Sequence, residues 1–540
     1  MTDMAQATLL QLAPEVLLEI LSHLDCVSLL RCCETCQHLR NLIENSGQLQ
    51  YHIALYRASY ERSADPRALA RTGIAPILEH LRSHINRWNR LDWSESHFPI
   101  PSIRGNWDFA SGVLTISTGP NSLWTCQLPS LSRNDQCRSK VLWTEFPVEA
   151  FTTDPNADLI VYFELHRYDG VDYSAPGSDH PYRGRLHIRS LESNSLNSYS
   201  TISLLETAFP VFRAQYQLRI FGDKLGLLCQ HGAGSWLTIW SWRSGMIEAH
   251  AALDAPMASF CFVTPSTLLT ACYLPWDDGA QEYQVGLRLC GIHSNTRGLR
   301  PMATFLLPQL HADILSGIVI QPSRSPDMRS KPFFPSSRSS LIQILWTTEG
   351  EASSDSDDSS SSGPIARNFD IFMHSGTLLH LAYEYAGHAM PIPWHHWGPM
   401  NTRLQANANN ALSLRQKRFF SGNRFVRRYR NMPSIISVLD FSPGRWTWDD
   451  NLGRRRSSEG LVQGGSQIIV DRSSPTVISC PELFQDDTVM SSLPYSRVHR
   501  DVGFPLRGDL EDVIICDDER IILIESFAGA SSGRLVLLSM

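Results

Sequence analysis

Beyond Ile100 the chain repeats one pattern: a short β-rich run, a tight turn, then a second run. "GVLTISTG" and "SLWTCQL" are such a pair, as are "LRIFGDKLGLLCQ" and "SWLTIWSW", and "DVIICDDERIILIES" and "GRLVLLSM". Runs of four to eight β-branched and aromatic residues bounded by Gly, Pro, Asn and Ser read as strands and hairpins. The clusters return about every 45 residues, which is the period of a propeller blade. This pattern predicts a degenerate propeller of about six to eight blades. The final "GRLVLLSM" suits a strand that pairs with an early one and closes the ring. A pair of β-sandwiches is the competing architecture. A leucine-rich horseshoe is disfavoured, because no short L-x-x-L-x-L period is present.

Within the repeats, "LTIWSWRSGM" resembles the third strand and following turn of a WD-type repeat, with Ser241 where the aspartate stands in that family. Two stretches break the pattern. "EGEASSDSDDSSSSGP" (349–364) is acidic and serine-rich, and cannot bury enough apolar surface to order itself. "QPSRSPDMRSKPFFPSSRSS" precedes it. Together they read as one flexible insertion around 322–364.

The first hundred residues differ in kind. In "PEVLLEILSHLD", Leu17, Ile20, Leu21 and Leu24 recur at i, i+3, i+4 and i+7, one face of a helix. Pro14 suits its first turn and Glu15 the positive end of its dipole. Ser28 can cap a second helix over "LLRCCE", and Thr35 a third over "CQHLRNLI", where Leu39, Leu42 and Ile43 share a face. Three short helices bury little by themselves, so their apolar faces call for a partner.

"LLQLAPEVLLEILSHLDCVSLLRCCETCQHLRNLI" resembles an F-box over residues 9–50. It has the leucine-proline opening, the leucine-rich first helix, the "sLL" second helix and the cysteine before a basic third helix. Ala13 stands at the usual opening proline, with Pro14 one place later, and Leu39 replaces the usual tryptophan. The resemblance implies docking onto the Skp adaptor of a cullin-based (SCF) ubiquitin ligase. The positions it marks are Leu12, Pro14, Leu17, Ile20, Leu24, Leu29, Leu30 and Cys36. A helical linker region (51–97) follows, with apolar Ile77, Leu78, Leu81, Ile85 and Trp88 in a long helix. The expected fold class is therefore multidomain: a three-helix F-box-like module, then a mostly β, propeller-like domain over 98–540.

Several motifs invite chemistry and fail on inspection. Cys33 and Cys36 have the spacing of half a zinc site, but a structural site needs four ligands, usually two such pairs. Buried free cysteine behaves as a small apolar residue. His80 and His84 stand at i, i+4 without a third ligand and are expected to face solvent. "WHHW" (394–397) reads as a loop or strand rich in aromatics, and neighbouring histidines on a strand point to opposite faces and chelate poorly. "GASSG" (529–533) fits a nucleophile elbow, but a strand follows where a helix is required. No phosphate-binding glycine loop is present. No metal, cofactor or catalytic residue is expected.

The segment "RQKRFFSGNRFVRRYR" (415–430) mixes seven Lys/Arg with aromatics and has no acid. Arginine pairs bidentately with carboxylate or phosphate, so Arg424, Arg427 and Arg428 are the candidate substrate-binding residues. "LGRRRSSEG" adds charge nearby in sequence. The net charge of −7 argues against a general nucleic-acid binder. The N-terminus lacks the basic start of a secretory signal, and no apolar run approaches the length of a membrane span. Twelve cysteines in 540 residues do not make a disulfide scaffold, and reduced thiols are expected. The expected site is the cytoplasm or nucleus. The expected role is a non-catalytic substrate receptor of an SCF ligase, with a Skp adaptor, a cullin scaffold and a protein substrate as partners. The alternative is a propeller scaffold acting outside any ligase.

Overall fold

The computed structural model describes residues 9–63, 73–101, 105–130, 136–168, 180–212, 215–231, 234–253, 257–275, 283–293, 295–311, 314–323, 326–328, 331–337, 340–350, 365–388, 390–407, 420–429, 432–442, 466–471, 474–502, 513–526 and 532–540.

Four helices open the chain: α1 (Pro14–Ser22), α2 (Cys26–Thr35), α3 (Gln37–Asn45) and α4 (Gly47–Ala58). The expected caps move. Asp25, not Ser28, caps α2, its carboxylate accepting from the Ser28 amide at 2.8 Å. Thr35 closes α2 by donating to the Cys32 carbonyl. Cys36, fully extended at φ −158° and ψ 158°, is the break between α2 and α3. Asp and Ser cap about equally well, and position decides: Asp25 sits three residues ahead of the amide it serves. Leu21, Leu29, Leu30, Leu39, Ile43, Leu49 and Ile53 form the module's own core, with Cys26 and Cys33 as small apolar fillers.

The β domain is a propeller of seven four-stranded antiparallel sheets. In chain order, blade 1 spans 107–143, blade 2 150–211, blade 3 215–253, blade 4 257–306, blade 5 315–407 and blade 6 424–501. Blade 7 combines three strands from 513–539 with an early strand, Ser94–Pro101. Ser94 pairs with Ser539 and Pro101 with Ser532, so the final strand does close the ring against an early one. The WD-like stretch falls where the resemblance put it. Gly234–Ser241 is the third strand of blade 3, and the indole of Trp242 donates to the Gly222 carbonyl at 2.9 Å. Gly245 takes φ +76° in the turn that follows, a conformation only glycine adopts without strain.

Three expectations are corrected. The span 322–364 is not one flexible insertion. Leu341–Gly350 is a central strand of blade 5, and Phe333–Pro335 pairs with Tyr60–Arg62. The serine-rich 351–364 lies outside the described residues. "WHHW" is helical, neither loop nor strand: it opens α7 (Trp394–Asn401), which follows α6 (Ser375–Glu384) between two strands of blade 5. Trp394 and Trp397, three apart on one helix face, are buried beside Ile392 and Phe484, and the Trp397 indole donates to the Leu306 carbonyl at 2.9 Å. Finally, α5 (Ile74–Arg90) turns His84 inward with Ile77, Leu78, Leu81 and Trp88. The imidazole lies 2.9 Å from the Tyr60 hydroxyl. His80 stays at the surface against the Phe333 ring.

Candidate functional site

The F-box module sorts its leucines by helix face. Leu17 and Leu21 of α1 turn inward, while Val16 and Ile20, four apart, stand outward at 47% and 39% exposure. Leu9, Leu10 and Leu12, just ahead of α1, and Val27 in the first turn of α2 are exposed as well. Six large apolar side chains in the water over nineteen residues is an unusual density, and such patches mark interaction surfaces.

The eight marked docking positions therefore divide. Leu12, Pro14 and Ile20 are exposed, and Leu24 and Cys36 are half-buried. Leu17, Leu29 and Leu30 are buried inside the module. Their expected role is corrected: they hold the helices together rather than face a partner. Leu9, Leu10, Val16 and Val27, exposed on the same module, are not among the marked positions. The signal for Val16 was present as a second apolar stripe on α1, one position out of phase with the first.

The basic segment is corrected too. Arg424 is not a surface cation: it is 6% exposed. Its guanidinium meets the Asp440 carboxylate at 3.3 Å, donates to the Tyr60 hydroxyl at 3.0 Å, and lies 4.8 Å above the Trp88 ring. Burial opposes its charge, and Tyr60 and Asp440 more than offset that, so its pKa rises. Arg427 and Arg428 are half-buried, and Arg427 donates to Gln405 of blade 5 at 2.8 Å. Beside them burial, reinforced by Arg497 and Arg427, brings His499 down to about 4. Residues 415–419, the "LGRRRSSEG" stretch and residues 529–531 of "GASSG" lie outside the described residues. The described remainder of "GASSG", Ser532–Gly533, begins the last strand, as the hairpin reading required.

Arg424 belongs to a joint between the helices and the propeller. Phe333–Pro335 reaches out from blade 5 to pair with Tyr60–Arg62. The Pro332 carbonyl accepts from Tyr51 and from the Ser63 amide. Lys331 is buried, 2.8 Å from Asp518 and 3.2 Å from Glu519 in the turn between the first two strands described for blade 7. Arg520 meets Asp517 at 2.8 Å in the same turn. Burial pushes Asp517 up to about 6, with Asp518 and Glu519 adding to the rise and Arg520 and Lys331 opposing it. The Trp88 indole donates to the Asp518 carbonyl at 2.9 Å. Further back, the Pro326 carbonyl accepts from Asn156 of blade 2 at 2.9 Å. One strap from blade 5 thus crosses the inner turns of blades 7, 1 and 2 and carries the helices on its far side. Among the described residues no group of three or more His, Cys, Asp or Glu is placed to hold a metal ion.

The F-box domain family matches residues 9–50. A comparison with curated proteins finds no match. Among solved structures, the chain is similar to the WD40 domain of SCAP from fission yeast: 9% identity, covering 82% of this chain and 98% of that one, TM-score 0.33. It is similar to BamB from Moraxella catarrhalis at 8% identity, covering 82% and 98%, TM-score 0.31. For Kuenenia stuttgartiensis hydrazine synthase the values are 8% identity, 45% and 63%, with TM-score 0.28, so the chain spans less than two thirds of that protein. At these scores none of them bears on function. Residues 9–50 are an F-box domain, and a seven-bladed β-propeller-like domain follows it.

Proposed function

We propose that this protein is the substrate-receiving subunit of an SCF-type ubiquitin ligase. The F-box would dock on a Skp adaptor, and through it on a cullin, while the propeller holds a protein substrate. The receptor would do no bond chemistry. Holding a substrate lysine near a charged conjugating enzyme raises its effective concentration, and that is its contribution. The same reading places it in the cytoplasm or nucleus.

The observation that carries the proposal is the row of exposed apolar side chains at Leu9, Leu10, Leu12, Val16, Ile20 and Val27, on a module whose core is already complete without them. The joint adds a direction. The strap and α5 cover the inner turns of several blades, so the opposite end of the propeller is the proposed substrate side. Arg427 and Arg428 stay in the proposed substrate-binding set, and Arg424 leaves it.

Capture of the full-length chain on an immobilised Skp adaptor tests the docking. Wild type is expected to bind. Ile20→Asp and Val16→Asp are expected to lose binding at least tenfold, with unchanged melting, because both side chains already stand in water. Full capture of both variants would end the docking proposal. Leu17→Asp and Leu30→Asp make poor probes, since a charge in that core unfolds the module.

The scaffold reading has one observation of its own: α5 and Tyr60 are fastened to the propeller by buried hydrogen bonds, from the Trp88 indole to the Asp518 carbonyl and from Arg424 to the Tyr60 hydroxyl, as a structural cap would be. No capture of wild type by the adaptor is the outcome that favours it.

A further inference from the structure

Blade 1 brings two cysteine side chains together. Cys126 lies near the end of the third strand, Ser122–Gln127, and Cys137 directly precedes the outermost strand, Arg138–Trp143. The register pairs Cys126 with Ser139 and Gln127 with Arg138. Cys137, two residues before Ser139, is thus the diagonal neighbour of Cys126 on the same face of the sheet. The two sulfurs are 2.9 Å apart. A disulfide bond is about 2.05 Å long, so a small side-chain rotation separates the pair from bonding distance. Both are thiols, Cys126 buried against the core of blades 1 and 7 and Cys137 half-buried at its edge.

We propose that Cys126 and Cys137 are a redox-active dithiol, which a hydroperoxide converts to an intramolecular disulfide. Cys137, with the more open sulfur, meets the oxidant first. Its thiolate attacks the terminal peroxide oxygen, the O–O bond breaks, and the departing alkoxide takes up a proton. The product is a sulfenic acid on Cys137. The Cys126 sulfur then attacks the Cys137 sulfur, gives up its proton, and expels hydroxide, which leaves as water. In sum, two thiols and one hydroperoxide give a disulfide, an alcohol and a water, and two electrons pass from sulfur to the peroxide. Burial, with the neighbouring Cys137 adding to it, holds the Cys126 thiol far above its ordinary range. That keeps Cys126 from meeting the oxidant first, and its place 2.9 Å from the Cys137 sulfur is what suits it to the second, resolving attack.

The bond would tie the start of the outermost strand to the body of the blade. That strand carries two exposed apolar side chains, Val141 and Trp143, at the rim of the propeller. Oxidation would therefore report on, and restrain, an edge that the reduced protein holds by its ladder, by packing and by the Lys140–Glu192 pair to blade 2.

The experiment uses the full-length chain and hydrogen peroxide as the probe. After oxidation, free thiols are alkylated, and the tryptic digest is mapped by mass. Trypsin cuts at Arg133, between the two cysteines, so a bond leaves two peptides joined. The expected product is a Cys126–Cys137 linked pair, about 2 Da lighter than the sum of its reduced halves, that thiol reductant separates. In Cys126→Ser, Cys137 is expected to gain about 16 or 32 Da as sulfenic or sulfinic acid, with no link. In Cys137→Ser, Cys126 is expected to stay alkylatable. Wild-type protein whose Cys126 and Cys137 both stay alkylatable, or whose Cys137 over-oxidises without a link, overturns the proposal. Serine replaces sulfur with a smaller atom of similar shape, and thermal melting of both variants confirms that the fold is kept.

Discussion

Arg424 shows how far a side chain's role depends on its surroundings. In the sequence it sits among six other cations and reads as a recognition residue. In the fold it answers Asp440 and Tyr60 and covers Trp88. Removing one partner of a buried ion pair strands the other, at a cost of roughly 3–5 kcal/mol. Arg424→Leu is therefore expected to lower thermal stability sharply, as read by differential scanning calorimetry. His84, next to the same joint, carries a pH signature. Burial, reinforced by Arg424, holds its pKa well below 6.5. A depressed histidine stabilises the fold only while neutral. Its contribution is full above the unfolded value of 6.5 and is lost as pH falls below it. Asp517 acts with opposite sign below about 6, so wild type alone blurs the effect. The melting difference between wild type and His84→Gln is expected to shrink as pH is lowered from 7.5 to 5.

At the scale of elements, helices α1 to α3 and most strands were legible because each shows its own period. The 3.6-residue stripe of α1 and the alternation of Tyr182–Ser190 need no partner to be seen. The strap was not legible. "SRSPDMRSKPFFPSS" has the composition of a loop, and nothing local says that Lys331 will be buried. Its order comes from partners far along the chain: Asp518 and Glu519, almost two hundred positions on, bring the ammonium inside, and Tyr60–Arg62, about 270 positions back, supplies a strand to pair with. Burial alone lowers the Lys331 pKa, and the surrounding carboxylates reverse that and raise it. Lys331→Ala takes the counter-charge from Asp518 in a buried joint, while Arg520 still faces Glu519. Its expected cost is at the upper end of the same 3–5 kcal/mol range. Limited proteolysis between the helices and blade 1 is expected to quicken in that variant. An unchanged cleavage rate would show that the strap does not hold the joint. Helix α7 was missed for a related reason. A four-residue aromatic stretch has no period long enough to tell helix from strand, and the pocket beside Leu306 and Phe484 settles it.

At the scale of the molecule, closure sets what can be removed. The F-box has its own core, whereas Ser94–Pro101 is the outer strand of blade 7. A chain that begins at residue 46 is expected to keep the cooperative melting of the propeller. One that begins at residue 102 exposes an unpaired edge along Ser532–Ser539 and is expected to aggregate or melt far lower. Equal melting of the two truncations would mean that the early strand does not close the ring.

The sequence by itself determined the kind of protein this is. Helical period marked a module of short helices whose residues resemble an F-box, β alternation and its recurrence marked a propeller, and the last strand announced its closure. Those signals are local, so they survive without the fold. Only the tertiary structure decided which apolar residues face water, which cations are spent inside, and which thiols meet. Exposure is a property of contacts, and here they join residues as far apart as Trp88 and Asp518, 430 positions along the chain.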